Sequence, residues 1–319
     1  SIPRIILSSN TKTKVLLKTT KKGTLIFMFC KAIILAFCIA ILFFQIEKVD
    51  MQSINLYLKK PFYLILVTLL MPINWYLEWQ KWIFILKENR MQNDKALDSF
   101  SAGMVSGFLT PGFPGNFLGR VFYFKKKRRI RLTTYIQIGN FSQLITSVIF
   151  GFIAFFVLWK TNLIFPLKSI YQSTTVLFFT LVLLAIVVVL LKKRNFKKRF
   201  FLKHKININS IFQFLKKALV LSILRHLVFS TQFFFALLCF NIPFSTELFL
   251  WIWITYFAVT LTPSLFFGKI IIRDSIAVTI FSIGGYEALP ILLSSFSIWI
   301  INVFTPTLIA WKKTNPPNV

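Results

Sequence analysis

Six cations stand inside apolar stretches of a chain otherwise short of charge: Lys31, Lys81, Arg120, Arg225, Lys269 and Arg273. A cation at the centre of a bilayer costs about 2.5–3.5 kcal/mol on insertion scales, so such residues are kept for a partner or a task. Arginine at depth suits an anion, because the guanidinium fork matches phosphate oxygens in a bidentate way. Lys31 lies near the start of its stretch and reads as snorkelling to the surface. Arg120 and Arg273 follow two matching Gly- and Pro-containing segments, and Arg225, beside His226, is set deeper in a third stretch. These three arginines are the candidate phosphate ligands. Glu78 and Lys81 stand at i,i+3 in the run Asn74-Trp75-Tyr76-Leu77-Glu78-Trp79-Gln80-Lys81-Trp82, where they can neutralise each other on one helix face. With Gln80 and Gln232 they are candidates to support the site, although the same run fits an interfacial aromatic girdle equally well. His226 by itself is expected to be a hydrogen-bonded helix histidine.

Other chemistry is poorly represented. There are two His, and no HExxH, P-loop, GxSxG or GxGxxG pattern. Glu287 and Asp274 could do acid–base work, but pairing with Arg273 or an interfacial position is the simpler expectation, so the chain is not expected to be an enzyme. Cys30, Cys38 and Cys239 all lie in apolar runs without a CxxC, which predicts buried helix residues and neither metal nor disulfide. No cofactor is implied.

Composition sets the class. Of 319 residues 56% are hydrophobic and 39 are Phe, while 15% are charged, against about 25% in soluble domains. The net charge of +29 would suit a nucleic-acid binder, but such a protein carries more charge and fewer Phe. The apolar content also excludes a disordered basic tail. The basic runs Lys125-Lys126-Lys127-Arg128-Arg129 and 192–205 therefore read as loops beside a membrane that attract anionic lipid. The expected fold is all-α, a polytopic transmembrane bundle with membrane lipids as partners and no nucleic acid.

Six stretches are long enough to span a bilayer: 24–44, 61–86, 133–158, 171–191, 218–240 and 285–310. Residues 99–124 and 249–273 are apolar but interrupted, the first by Gly103, Gly107, Pro111, Gly112, Pro114, Gly115 and Gly119, the second by Pro263 and Gly268. Both predict re-entrant hairpins with Thr110-Pro111 and Thr262-Pro263 near their tips, since irregular backbone at membrane depth survives only inside protein or beside a wet cavity. A shift of 152 lays Leu109-Thr110-Pro111 on Leu261-Thr262-Pro263, Gln80 on Gln232 and Trp159-Lys160 on Trp311-Lys312; one gap brings Arg120 onto Arg273. The chain thus reads as a single transmembrane domain of two repeats, about 1–165 and 166–319. With both termini cytoplasmic, 27 of the 38 Lys and Arg fall inside and five outside. Three crossings per half would insert the second half upside down, the inverted plan of many transporters.

The run Asn74-Trp75…Gln80-Lys81-Trp82, then Ala102-Gly103, Leu109-Thr110-Pro111, Gly115, Gly119-Arg120 and Gly139-Asn140-Phe141-Ser142-Gln143 with Gly151 resembles the lysylphosphatidylglycerol synthase transmembrane-region, or flippase-like, family. Leu224-Arg225, Gln232, Thr262-Pro263-Ser264, Gly268 and Arg273 carry the likeness through the second half. The resemblance covers about residues 20–312. It implies two re-entrant hairpins in inverted repeats and a role in moving lipid between leaflets, as in the similar domain of the multiple peptide resistance factor. The downstream aminoacyl-transferring domain of that factor is not expected here. Carried over are Arg120, Arg225 and Arg273, with hairpin positions Thr110, Pro111, Gly115, Gly119, Thr262, Pro263 and Gly268 shaping the cavity. One departure matters: Asn116 and Lys269 stand where the family usually has an acid after the hairpin glycine. The expectation is a flippase of the bacterial inner membrane for an anionic phospholipid or polyprenyl-phosphate-linked lipid, with passive or gradient-coupled transport. The alternative is a non-transporting membrane partner that scaffolds a lipid-modifying or glycosyl-transferring enzyme.

Overall fold

The computed structural model describes residues 59–91, 94–110, 114–161, 208–262 and 268–313. Every regular element among them is helical: α1 (Phe62–Glu88), α2 (Ala96–Leu109), α3 (Pro114–Val121), α4 (Lys126–Lys160), α5 (Ile208–Cys239), α6 (Glu247–Leu261), α7 (Gly268–Ile283), α8 (Ala288–Trp299), a π-helical turn (Ile300–Phe304) and α9 (Thr305–Lys313). The stretches 24–44 and 171–191, with Lys31, Cys30, Cys38, Pro111 and Pro263, lie outside the described residues. Cys239 is buried at the end of α5, as its apolar run predicts.

Four rods are long and apolar enough to cross a membrane: Phe62–Glu88, Lys126–Lys160, Asn209–Cys239 and Ala288–Lys312, the last made by α8, the π turn and α9 end to end. Each turns an apolar stripe outward. On α1 it runs Phe62, Ile65, Leu69, Ile73 and Tyr76; on the last rod it runs Phe296, Ile300, Phe304, Leu308 and Trp311. Spacings of three and four keep each stripe on one face, and a bundle that exposes such faces has lipid tails as its solvent. Two rods start earlier than the apolar pattern predicts, α4 inside the basic run and α5 ten residues before 218. A helix need not stop where hydropathy does, because lysine and arginine stems snorkel while the backbone ladder continues.

α1 runs antiparallel to α5, with Tyr63 stacked on Phe235, Gln232 on the Val67 carbonyl, Arg225 on Asn74 and Lys217 over the Phe84 ring. α4 runs parallel to α5, with Tyr135 on Phe214, Ser142 on Ser222 and Phe150 on His226. The end of α1 and the starts of α4 and α5 therefore share one pole of the bundle. Lys87, Arg90, Lys125, Lys126, Lys127, Arg128, Lys216 and Lys217 make this the basic pole. Arg128 donates there to the Arg90 carbonyl and Arg131 to the Glu88 carbonyl.

Four glycines of the first interrupted segment lie within helix, Gly103 and Gly107 inside α2 and Gly115 and Gly119 inside α3; Gly112 lies outside the described residues. The two helices are antiparallel and almost touch at the backbone. A Cβ on Gly115 would overlap the Thr110 hydroxyl and the Ser106 carbonyl; one on Gly119 would overlap the Ser106 hydroxyl and the Ala102 carbonyl. This is close packing through small residues, as membrane helices use it, and Ser106 fixes the pair by donating to the Gly115 carbonyl at 2.6 Å. α6 and α7 form the second pair, with the Trp251 ring against Gly284 just past the end of α7.

Candidate functional site

The charges predicted at depth converge on one carboxylate. Glu78 Oε1 accepts from Arg120 Nη2 at 3.2 Å, and Oε2 accepts from Arg225 Nη1 at 2.8 Å, with Lys81 Nζ at 3.8 Å. Glu78 and Lys81 do share a helix face, as their spacing requires, but they share it with arginines from α3 and α5. Arg225 Nε also donates to Asn74 Oδ1 at 2.8 Å, one turn before Glu78. Lys81 Nζ donates to Gln143 Oε1 at 3.3 Å. Three cations around one acid leave a positive excess in a region screened from water.

Arg120 is almost wholly buried, its guanidinium 4.8 Å from the Phe100 ring centre and 5.4 Å from that of Trp82. Trp75 and Trp79 meet the same Phe100 edge-on, and Trp82 donates to Ser99 and the Ala96 carbonyl. Trp75, Trp79 and Trp82 thus form with Phe100 a wall that seats Arg120, while Tyr76 of the same run faces outward. Arg225 and Arg273 are more open, with 25% and 15% of their side chains exposed. Arg273 is held by its neighbour Asp274 at 2.7 Å and by Ser295, the pairing anticipated for Asp274.

Glu78, Lys81, Arg120, Gln143, Arg225 and Arg273 line one cavity of about 1470 Å³, so the three arginines do face a common space. Its walls are Glu78, Lys81 and Ile85 of α1, Leu118 and Arg120 of α3, one side of α4 between Arg129 and Leu144, and Ile211, Leu215 and Arg225 of α5, running from near the basic pole to about the middle of the rods. Val259 to Thr262 at the end of α6, Ile272 and Arg273 of α7, and Trp299 and Val303 roof it. Beyond that roof the bundle is packed shut by Val67, Ala154, Phe155, Leu158, Phe233, Leu237, Trp251 and Phe281. Among the described residues, the cavity lining reaches toward the basic pole and apolar packing fills the opposite half.

The remaining candidates are distributed as follows. Thr110 and Gly119 belong to the α2–α3 contact, with the Thr110 hydroxyl on the Ser106 carbonyl. Thr262 caps α6, donates to the Ala258 carbonyl and lines the cavity; Gly268 begins α7. Gln232 is not at the ion cluster. It exchanges hydrogen bonds with Asn302 of the π turn at 2.9 and 3.2 Å and donates to the Val67 carbonyl, while Trp75 donates to the Asn302 carbonyl. Gln80 is half-buried on α1 and away from the cavity walls. Asn116 packs against Gly107 on the α2–α3 contact. His226 departs from expectation. It is fully buried between Phe150, Phe229 and Tyr256, and neither ring nitrogen has a hydrogen-bond partner among the described residues. Asn74, Gln143 and Asn302 carry interactions that no reading of residue type assigned. Asn74 was findable, being four residues before Glu78 and hence on its face.

An all-helical bundle with four rods able to span a bilayer and apolar stripes on their outer faces defines a multi-pass membrane protein. The family model of the lysylphosphatidylglycerol synthase TM region matches residues 29–310, and the chain belongs to that family. No curated protein and no solved structure matches it.

Proposed function

We propose that the protein carries an anionic lipid, phospholipid or polyprenyl-phosphate-linked, between membrane leaflets, with the lipid phosphate resting in the basic cavity. The observation that carries this reading is the cluster of Lys81, Arg120 and Arg225 on the single carboxylate of Glu78. An uncompensated charge held away from water is costly, and an anion entering the cavity relieves it. Arg225 and Arg273, the more open arginines, are the ligands in this scheme. Arg120, sealed against Trp82 and Phe100, aims Glu78.

The order of long helix, short helix, break, short helix and long helix occurs twice, and Leu-Thr ends both α2 and α6. This supports one transmembrane domain of two inverted repeats, about 1–165 and 166–319, whose short-helix pairs enter the bilayer from opposite poles. By the positive-inside rule the basic pole and both termini are cytoplasmic, in a bacterial inner membrane.

The test is transport by the full chain in phosphatidylcholine vesicles doped with acyl-labelled phosphatidylglycerol, read with an impermeant quencher. Each lost charge-assisted hydrogen bond is worth about 1.5–3 kcal/mol, so Arg225→Gln with Arg273→Gln slows crossing by at least roughly tenfold. Equal rates for wild type and variant overturn the proposal. An inert protein that co-purifies with a stoichiometric lipid-modifying enzyme favours the scaffold alternative.

A further inference from the structure

One face of α4 is polar along the whole depth of the cavity. Arg129, Thr133, Gln137, Asn140 and Gln143 recur at spacings of four, four, three and three, and all line the cavity. Fourteen residues of helix rise about 21 Å, roughly two-thirds of a hydrocarbon core of about 30 Å. The stripe thus joins the basic pole to the ion cluster, where Gln143 receives Lys81. Gln143 Nε2 is buried without an acceptor among the described residues, which is costly unless something bonds it. Gln137 is exposed to the cavity and Asn140 half-buried in its wall, so both carboxamides are open to a ligand.

The stripe is also uncharged past Arg129. A carboxamide both donates and accepts, and so does a hydroxyl, so each suits the other. An ammonium only donates, and its charge is best met by a carboxylate. Among the described residues that line the cavity the one carboxylate is Glu78, and both its oxygens are already taken by Arg120, Arg225 and Lys81. Resting on the transport reading above, we infer that the headgroup accepted here is a phosphate ester bearing uncharged hydroxyls, with Gln137, Asn140 and Gln143 bonding the hydroxyls and Arg225 the phosphate. Headgroups with a fixed positive charge are rejected by the surrounding cations.

The test compares four acyl- or prenyl-labelled probes in phosphatidylcholine vesicles holding the full chain: phosphatidylglycerol, polyprenyl phosphoglucose, phosphatidate and lysylphosphatidylglycerol. A site that bonds hydroxyls discriminates against a ligand that lacks them. At least one hydroxylated anionic probe therefore crosses roughly tenfold faster than phosphatidate and than the lysylated lipid, and which one does so identifies the source of the headgroup. In Gln137→Leu with Gln143→Leu the ratio to phosphatidate falls to about one, a change in selectivity that general damage to the fold does not produce. Equal rates for all four probes in the wild type leave transport of anionic lipid standing and overturn the headgroup assignment. Lysylphosphatidylglycerol crossing fastest overturns it too. If no probe crosses, the transport reading fails and the assignment falls with it.

Discussion

Three cations share the two oxygens of Glu78, and removing that carboxylate leaves all three without a counter-charge at a depth where water is scarce. Breaking a buried pair by deleting one partner costs about 3–5 kcal/mol, and Glu78, with 14% of its side chain exposed, has little solvent to soften that loss. Glu78→Gln is therefore expected to unfold at a clearly lower temperature than wild type in detergent, followed by tryptophan fluorescence. Arg120 is the cation with least access to water, 3% exposed, so adding Arg120→Met to Glu78→Gln restores part of the loss. A double variant no more stable than Glu78→Gln alone would place the energy elsewhere. Sequence pointed to Arg120 and Arg225 because a cation in an apolar run needs a reason. It named Glu78 as a supporting residue beside Lys81 but not as the arginines' shared partner, because Glu78 lies 42 residues from one and 147 from the other. The Arg273–Asp274 pair, between neighbours in sequence, was legible, whereas the enclosure of His226 by rings was not.

Among the helices, the pattern of apolar length was enough to locate the four described rods, since a bilayer sets their length directly. It failed at the glycines of the first short pair, which composition marks as breakers but which serve as the contact surface between α2 and α3. Spacing held the clue: Gly115 and Gly119 stand one turn apart, as do Ala102 and Ser106 opposite them. Gly119→Val is expected to force these helices apart and destabilise the protein by about 1–3 kcal/mol or more. Gly139→Ala on α4 is the informative contrast, because its added methyl meets only Phe214 Cζ, at 3.9 Å. With room available and a helix-favouring side chain gained, it is neutral or stabilising by up to about 1 kcal/mol. Thermal unfolding of both variants checks the pair, and equal losses would mean that proximity is not what selects glycine in α3. The π turn at Ile300–Phe304 was not read from the sequence, although Asn302 interrupts the apolar run there and Pro306, which cannot donate a backbone hydrogen bond, follows it. It becomes intelligible only once the Asn302 carbonyl is seen bonding Trp75 and its side chain bonding Gln232.

At the scale of the whole bundle, the distribution of charge and the distribution of packing describe the same asymmetry. Basic side chains gather at the pole that the cavity lining approaches, and the opposite half is filled by Val67, Phe155, Phe233, Trp251 and Phe281. Under the transport proposed above, releasing lipid on the far side requires parting that apolar plug, and this arrangement is then the one open to the basic pole. Accessibility of single cysteines measures this directly, in a background where Cys30, Cys38 and Cys239 are changed to Ala. Gln137→Cys, exposed in the cavity wall, is expected to react with an impermeant thiol reagent applied from the basic side and to be protected from the other. Ala154→Cys, fully buried in the plug, is expected to be unreactive from both sides in vesicles of phosphatidylcholine alone. Under alternating access, adding phosphatidylglycerol populates the opposite state, so the Ala154→Cys variant gains reactivity from the far side while Gln137→Cys loses it from the near side. Reactivity of Gln137→Cys from both sides at once would instead describe an open groove along α4, and the plug would then be a packed core with no part in transport.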